Sequence, residues 1–405
     1  MRNDRSRWLA LSVLLAACGS SPADTPSEGS GGAAGAGGSS GSAGAGGIDG
    51  TGGIDGTGGA GGAGGAGGTG GAPPAESLTW KKIDAAGPSA RTATAMAYDE
   101  RRKVVVLFGG LECADFPDCT MENDLEDLWE WDGSTWTQVA RDGVWPGPRS
   151  RHAMAYDPVR GQVVLNGGGG GMMGWNGSTW EEITAFCNFG CPLGREDHAL
   201  AFHKGRGHLV AFSGVGSALN DVSVSVRADS YELIDDFWHP IDSAEHPDGR
   251  VGSQLAYDPA RDVLWLFGGS SEYSASFDGY PNDVWMLDDS GWHQVNAGGT
   301  PGDTLPWGRR QAIFAWHPAL QQVVLFGGFS YPATQMVAPL QVPEALSVWT
   351  WDGDAWHNRP DWFLKDAFRS DQAAAQDPGT NGIVQFGGEN FVERPTADTH
   401  VFGPL

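Results

Sequence analysis

PRSRHAMAYDPVRGQVVLNGGGGGMMGWNGSTWEEI, residues Pro148 to Ile183, is one copy of a repeat, and reading it decides the fold. It runs from an arginine through HAMAYD, an Asp-Pro turn, the apolar run QVVLN, a glycine tract, the segment MMGW, an Asn-Gly turn and a final Trp180. The residue ending the AMAYD run is a convenient anchor. Its equivalents are Asp99, Asp157, His203, Asp258, His317 and Asp377. An arginine stands eight residues before each: Arg91, Arg149, Arg195, Arg250, Arg309 and Arg369. Internal self-similarity of this kind outranks any local signal, because missing it misassigns the whole chain.

Each anchor is followed by a short apolar run ending in glycine: VVVLFGG, QVVLNGG, LVAFSG, VLWLFGG, QVVLFGG and IVQFGG. A segment rich in Trp and Val comes next, as in DLWEWDG and DVWMLDD, then a Trp-led segment such as TWTQV or GWHQV. β-Branched and aromatic runs bounded by Gly, Asp, Asn and Pro read as strands. WDGSTW, WNGSTW and WDGDAW put Gly after Asp or Asn, where a hairpin tip needs positive φ. DPVRG and DPARD mark tight turns between the first two strands. Four strands per unit, recurring six times at 46 to 60 residues, make an all-β, six-bladed β-propeller. Only five final segments follow the first arginine; the sixth, LTWKKI (Leu78 to Ile83), precedes it, and the chain stops at THVFGPL. The N-terminal strand is therefore expected to complete the C-terminal blade, which removes exposed sheet edges.

Arginine, a short strand, Gly-Gly, an Asn-Asp-apolar-Trp run and a final Trp resemble the kelch repeat. NDLEDLW at Asn123, NDVW at Asn282, and FGG at Phe108, Phe267, Phe326 and Phe386 carry the resemblance, over roughly residues 78–405. It implies a kelch-type propeller and says little of function, since propellers host many unrelated activities. The second repeat has lost Asn-Asp, keeping GGGGGMM; the third has Ser213-Gly214 for Gly-Gly and an insertion, NDVSVSVRADS, that leaves its third strand uncertain.

Residues 1–17 are expected to be a signal peptide: three arginines precede an apolar run too short to span a bilayer. Leu15-Ala16-Ala17-Cys18 resembles the lipobox of bacterial lipoproteins, which implies cleavage before Cys18, its lipidation and a place on the cell envelope, the outer membrane favoured. Residues 18–76, rich in Gly, Ala and Ser, cannot bury enough apolar surface to offset chain entropy and are expected to be a disordered tether. Residues 77–405 form the propeller. The chain carries a formal charge of −25, and losing a leader with three Arg and one Asp would leave −27. That balance excludes a nucleic-acid partner. It leaves membrane association to the lipid anchor alone, and a monomer is expected. Export favours two local disulfides, Cys113–Cys119 and Cys187–Cys191. A zinc site would require the two pairs to converge, and no ligand spacing supports calcium in the acidic loop Glu112 to Asp127.

Strand alternation sorts the loops. First-to-second and third-to-fourth connections are tight turns on one face, with little room for chemistry. Second-to-third and inter-blade loops, long and dissimilar, share the other face, where a binding site is expected. Its aromatic candidates are Trp145, Tyr280, Trp307, Tyr331 and Trp362. The arginine ring (Arg91, Arg149, Arg195, Arg250, Arg309, Arg369) has two readings. Either each arginine pairs with the Asn-Asp carboxylate or nearby carbonyls, or the ring gathers an anion such as a sugar acid or peptide carboxylate. His152 and His198, three after their arginines, with Glu196 beside the second, would suit proton transfer but also match the repeat. Within residues 77–405 there is no G-x-S-x-G, no H-E-x-x-H and no Asp-box spacing; no cysteine is spare for a Tyr-Cys copper centre, and no metal or cofactor is implied. Two functions remain: a non-catalytic module binding a protein or glycan, and an exported carbohydrate-active enzyme, as some six-bladed kelch proteins resemble sialic-acid mutarotases.

Overall fold

The computed structural model describes residues 78–113, 121–187, 191–217, 224–271, 279–330, 347–377, 379–389 and 395–404. Cys18, the leader and the tether lie outside them. Six antiparallel four-stranded sheets follow one another along the chain. Blade 1 comprises Ala95–Asp99, Val104–Cys113, Glu122–Trp131 and Trp136–Val139. Blade 2 comprises His152–Asp157, Gln162–Gly167, Gly170–Trp175 and Trp180–Ile183. Blade 3 has Ala199–His203, His208–Phe212, Ser230–Ile234 and Phe237–Pro240. Blade 4 has Gln254–Asp258, Val263–Phe267, Val284–Asp288 and Gly291–Asn296, and blade 5 has Ile313–His317, Gln322–Phe326, Val348–Trp351 and Trp356–Arg359. Blade 6 takes Ala373–Gln376, Ile383–Phe386 and Thr399–Pro404 from the C-terminus, and its fourth strand, Leu78–Ile83, from upstream of blade 1. The junction pairs Leu78 with Pro404 through Ile83 with Thr399. In the third repeat the insertion supplies half of a small hairpin, Val215–Ser217 with Val224–Val226, and the third strand resumes at Ser230.

The second strands explain where the core sits. Successive side chains of a strand point to opposite faces. Val105 and Leu107 enter the cluster shared with blade 6, whereas Val106 and Phe108 enter the one shared with blade 2. A sheet buried on both faces reads as a continuous apolar run, here VVVLF, with no alternation. The core lies between blades and not within them: six hydrophobic clusters occupy the six junctions. Most tryptophans fill these junctions; Trp131, for example, is buried and donates to Asp377 of blade 6 at 2.8 Å.

The anchor residue has a common task in either chemical form. Asp99 Oδ1 accepts the N–H groups of Arg101 and Arg102, closing the turn to the second strand. His317 Nδ1 accepts the N–H of Leu320 in the same way, so an acceptor at this position suffices. The Gly-Gly doublets stitch blade to blade. The second glycine donates to the arginine carbonyl of the next blade, as Gly110 does to Arg149 and Gly388 to Arg91. A Cβ on the first glycine would meet that carbonyl, at 2.5 Å for Gly109 and 2.1 Å for Gly167, and both have positive φ. Blade 3 substitutes Ser213 at φ 57°, whose hydroxyl bonds the Arg250 carbonyl at 2.7 Å.

Cys187 and Cys191 form a disulfide. Cys113 is disulfide-bonded as well, and Cys119 lies outside the described residues.

Candidate functional site

The arginine ring turns away from the channel and into the blades. Arg91 is fully buried and makes a bidentate bond to Asp127 at 2.6 and 2.8 Å, with a third bond to the Gly109 carbonyl. Arg195 pairs with Asp229 at 2.5 Å, Arg250 with Asp283 at 2.8 Å and Arg369 with Asp398 at 2.6 Å. Each acid stands two residues before Trp129, Tyr231, Trp285 or His400 of its own blade's third strand, Asp127 inside that strand and the other three just ahead of it. In blade 1 the partner is therefore the second aspartate of NDLEDLW; Asp124 of the Asn-Asp pair accepts from Ser150 at 2.6 Å instead. Arg309 reaches the Gly327 carbonyl at 3.3 Å, and Arg149 bonds only carbonyls. These guanidinium groups hold second strand to third.

Two residues past each arginine lies a ring of positions joined by backbone hydrogen bonds at the channel mouth. The six positions are Ala93, Arg151, Asp197, Gly252, Gln311 and Asp371, all with φ between 51° and 65°. Their backbones bond across the blades: Arg151 N–H to Ala93, Asp197 to Arg151, Gly252 to Asp197, Gln311 to Gly252 and Ala93 to Asp371, at 2.8 to 3.1 Å. The left-handed region costs a non-glycine residue roughly 1 kcal/mol or more, yet glycine occupies a single position. Five side chains are thus held at the mouth against a local conformational cost.

These side chains break the repeat. In a ring of six, blade 2 faces blade 5 and blade 3 faces blade 6. Arg151 of blade 2 stands opposite Arg310, the neighbour of Gln311, in blade 5; Asp197 of blade 3 stands opposite Asp371 of blade 6. Ala93 and Gly252 leave blades 1 and 4 open, so the mouth is a slot with an arginine and an aspartate along each side. Arg151 Nε lies 3.8 Å from Asp197 Oδ2, the acid keeping 16% of its exposure. Burial pushes the Asp197 carboxyl up to about 6, with Arg151 and Arg310 opposing and Asp371 reinforcing the shift. Burial lifts Asp371 to about 6 as well, helped by Glu389 and Glu122 and opposed by the same two arginines. Acids on opposed blades that sense the same two arginines meet near the axis. The Arg310 Nε is buried without a hydrogen-bond partner among the described residues, and its guanidinium stacks on Phe329 at 5.5 Å. Tyr280 closes against the edge of Phe329 at 6.1 Å.

No protein-family model matches the sequence, and no curated protein matches it. The fold is similar to that of YjhT. That solved structure aligns with a TM-score of 0.54 over 77% of this chain and 95% of its own, at 14% identity. At this identity the likeness to YjhT shows the propeller alone.

The other residues singled out in the sequence are dispersed. His152 and His198 are buried between blades, His152 edge-on to Phe108 and His198 Nε2 3.3 Å from the Asn166 amide. Burial, and then neighbouring Arg149 or Arg195, push both down to about 3. Both imidazoles are therefore expected to be neutral at neutral pH, which disfavours a proton relay through them. Neither imidazole is expected to titrate between pH 5 and 8 in ring-carbon NMR; a midpoint near 6.5 would contradict the placement. Because the unfolded chain binds these protons first, both histidines favour folding more as pH rises from about 3 to 6.5. Glu196 is half-buried and its backbone bridges Val215. Trp362, expected to be exposed, is 5% exposed: the turn Pro360–Trp362 folds it onto Phe402 in the junction of blades 5 and 6. Trp145 is half-buried against Phe108, Trp175 and Trp180, Trp307 is half-buried, and Tyr331 lies outside the described residues. Only Tyr280 joins the mouth.

Two cavities lie along the axis. One of about 150 Å³ sits below the slot, lined by Thr94, His152, His198, Gln254, Gln372 and apolar side chains. The larger, about 220 Å³, opens at the tight-turn end among Tyr98, Tyr156 and Tyr257. That end was expected to be cramped; it lacks the backbone ring that draws the blades together at the other. Its charges are satisfied internally, Lys204 with Glu100 at 2.8 Å and Tyr257 with Asp262 at 2.6 Å. The partnerless Arg310 Nε and the two carboxyls raised by burial single out the slot in spite of its smaller cavity. Among the described residues no three or more His, Cys, Asp or Glu assemble as a metal site.

Proposed function

We propose that this kelch-type propeller is a binding module for a glycan, with the charged slot at the channel mouth as its recognition site. The observation that carries this reading is the meeting of Asp197, Asp371, Arg151 and Arg310 from four blades, with both carboxyls raised by burial and the Arg310 Nε buried without a hydrogen-bond partner among the described residues. A saccharide hydroxyl donates to a carboxylate and accepts from a guanidinium, so a polyol satisfies both sides of the slot at once. Phe329 and Tyr280 offer an apolar wall for a sugar ring.

A second reading is favoured by the two carboxyls near 6. Acids poised there exchange protons at neutral pH, as acid-base catalysis on a sugar requires. Glycan-array binding, followed by titration calorimetry on the best hit, separates the readings. Arg310→Met is expected to weaken binding at least tenfold, the loss of a hydrogen bond from a charged group being worth about 1.5–3 kcal/mol. Its melting temperature should stay within about 3 °C of the parent. Unchanged affinity would remove the slot from consideration, and turnover of the bound sugar, seen by proton NMR, would select the enzyme.

A further inference from the structure

We infer that blade 2 holds a second site, separate from the axial slot, that takes the carboxylate of a small organic acid on Arg149. Four of the six equivalent guanidinium groups are matched by an aspartate of their own blade: Asp127, Asp229, Asp283 and Asp398. Arg149 is 7% exposed and has no such partner. Its bonds run to the carbonyls of Gly147, Gly167 and Gly171 at 3.2 to 3.3 Å, and its Nη2 has no hydrogen-bond partner among the described residues. A buried guanidinium remains charged and is costly without a counter-charge.

Register identifies the missing group. Leu128 pairs with Val139 in blade 1, and Met172 with Ile183 in blade 2, so Gly171 stands where Asp127 stands. A Cβ built on Gly171 meets nothing within 4 Å, whereas one on Gly170 would strike the Arg149 guanidinium at 2.5 Å. The space that the repeat fills with a carboxylate is thus open, beside an arginine that the glycine at 170 allows to lie flat. Access follows from loop length. The second and third strands of blade 2 are separated only by Gly168 and Gly169, while in blade 1 the gap runs from Cys113 to Glu122. Nε spends its hydrogen on Gly147 and Nη1 both of its own on Gly167 and Gly171, so the two hydrogens of Nη2 are what the notch offers to a carboxylate oxygen.

The test follows thermal unfolding of the full chain in sodium acetate and in sodium chloride at equal ionic strength. Acetate at 100 mM should raise the melting temperature by about 2 °C over chloride. Gly171→Asp supplies the carboxylate internally. It should raise the melting temperature in chloride by about 3 °C and abolish the acetate increment. Arg149→Lys keeps the charge without the fork and should weaken acetate binding at least fivefold while remaining folded. Equal melting in acetate and chloride would overturn the inference, as would an acetate increment that survives in both variants. In the latter case the acetate would be bound elsewhere, for example by Arg151 or Arg310 in the slot, and that proposal would stand apart from this one.

Discussion

A chain lacking residues 78–83 is expected to lose the closed ring and most of its stability. The six-residue strand hydrogen-bonds Thr399–Pro404 along its whole length. Leu78 is buried, and Trp80 packs on Phe326 and Phe402 with centroids at 4.3 and 4.9 Å. Side chains of this kind contribute about 1.5–3 kcal/mol each, so removing Leu78, Trp80 and Ile83 forfeits roughly 5 kcal/mol. Whole domains are stable by only about 5–15 kcal/mol. The deletion also bares the edge of blade 6, which would template association. Thermal unfolding and light scattering should show a melting temperature at least about 10 °C lower, with aggregation. Leu78 lies beside Pro404, so the same six residues moved behind Leu405 through an Asn-Gly turn regain their place in the ladder. That permuted chain should recover the parent stability. A deletion variant melting within about 2 °C of the parent would refute the closure.

The double substitution Asp197→Asn, Asp371→Asn is expected to raise stability at pH 8 while abolishing ligand binding. Both carboxyls sit near 6 when folded, against an ordinary value of 3.8. Between those values the folded state holds the protons more tightly, so stability is full below about 4 and falls as pH rises through about 6. Discounted for residual exposure, the loss is on the order of 2–3 kcal/mol for each carboxyl at neutral pH. Asparagine removes the charge and keeps a hydrogen-bonding shape. Denaturant titrations from pH 4 to 8 should show the variant gaining on the parent as pH rises, by about 3 kcal/mol or more at pH 8. A variant less stable than the parent at pH 8 would mean that the two acids are structural ion-pair members.

The repeat frame was legible because each blade must bury both faces of its second strand and cap the turn before it. Runs such as VVVLF and anchors such as Asp99 are direct consequences. The closing strand was legible as a count, five final segments after the first arginine and a sixth before it. Register was hidden: the irregularity between Phe108 and Gly110 decides that Asp127 reaches Arg91 and Asp124 does not. The slot was missed for a related reason. The residues singled out in the sequence were the recurring arginines, the pair His152 and His198 that interrupts the column three past them, and loop aromatics, whereas the mouth is built mainly from the column two past the arginine. Ala, Arg, Asp, Gly, Gln and Asp at two past the arginine form the variable column inside an otherwise constant frame. That variability was a usable signal; the left-handed backbone that aims those side chains at the axis was not. Trp362 shows the converse: a loop on the open face can fold its aromatic back into a junction.

The central claim is that two opposed acids share a desolvated slot at the channel mouth. It is tested most directly by carboxyl-carbon NMR of Asp197 and Asp371 across pH 3 to 8, assigned with the single Asn variants. The account predicts that both titrate near 6. Midpoints near 3.8 for both, the ordinary aspartate value, would contradict it.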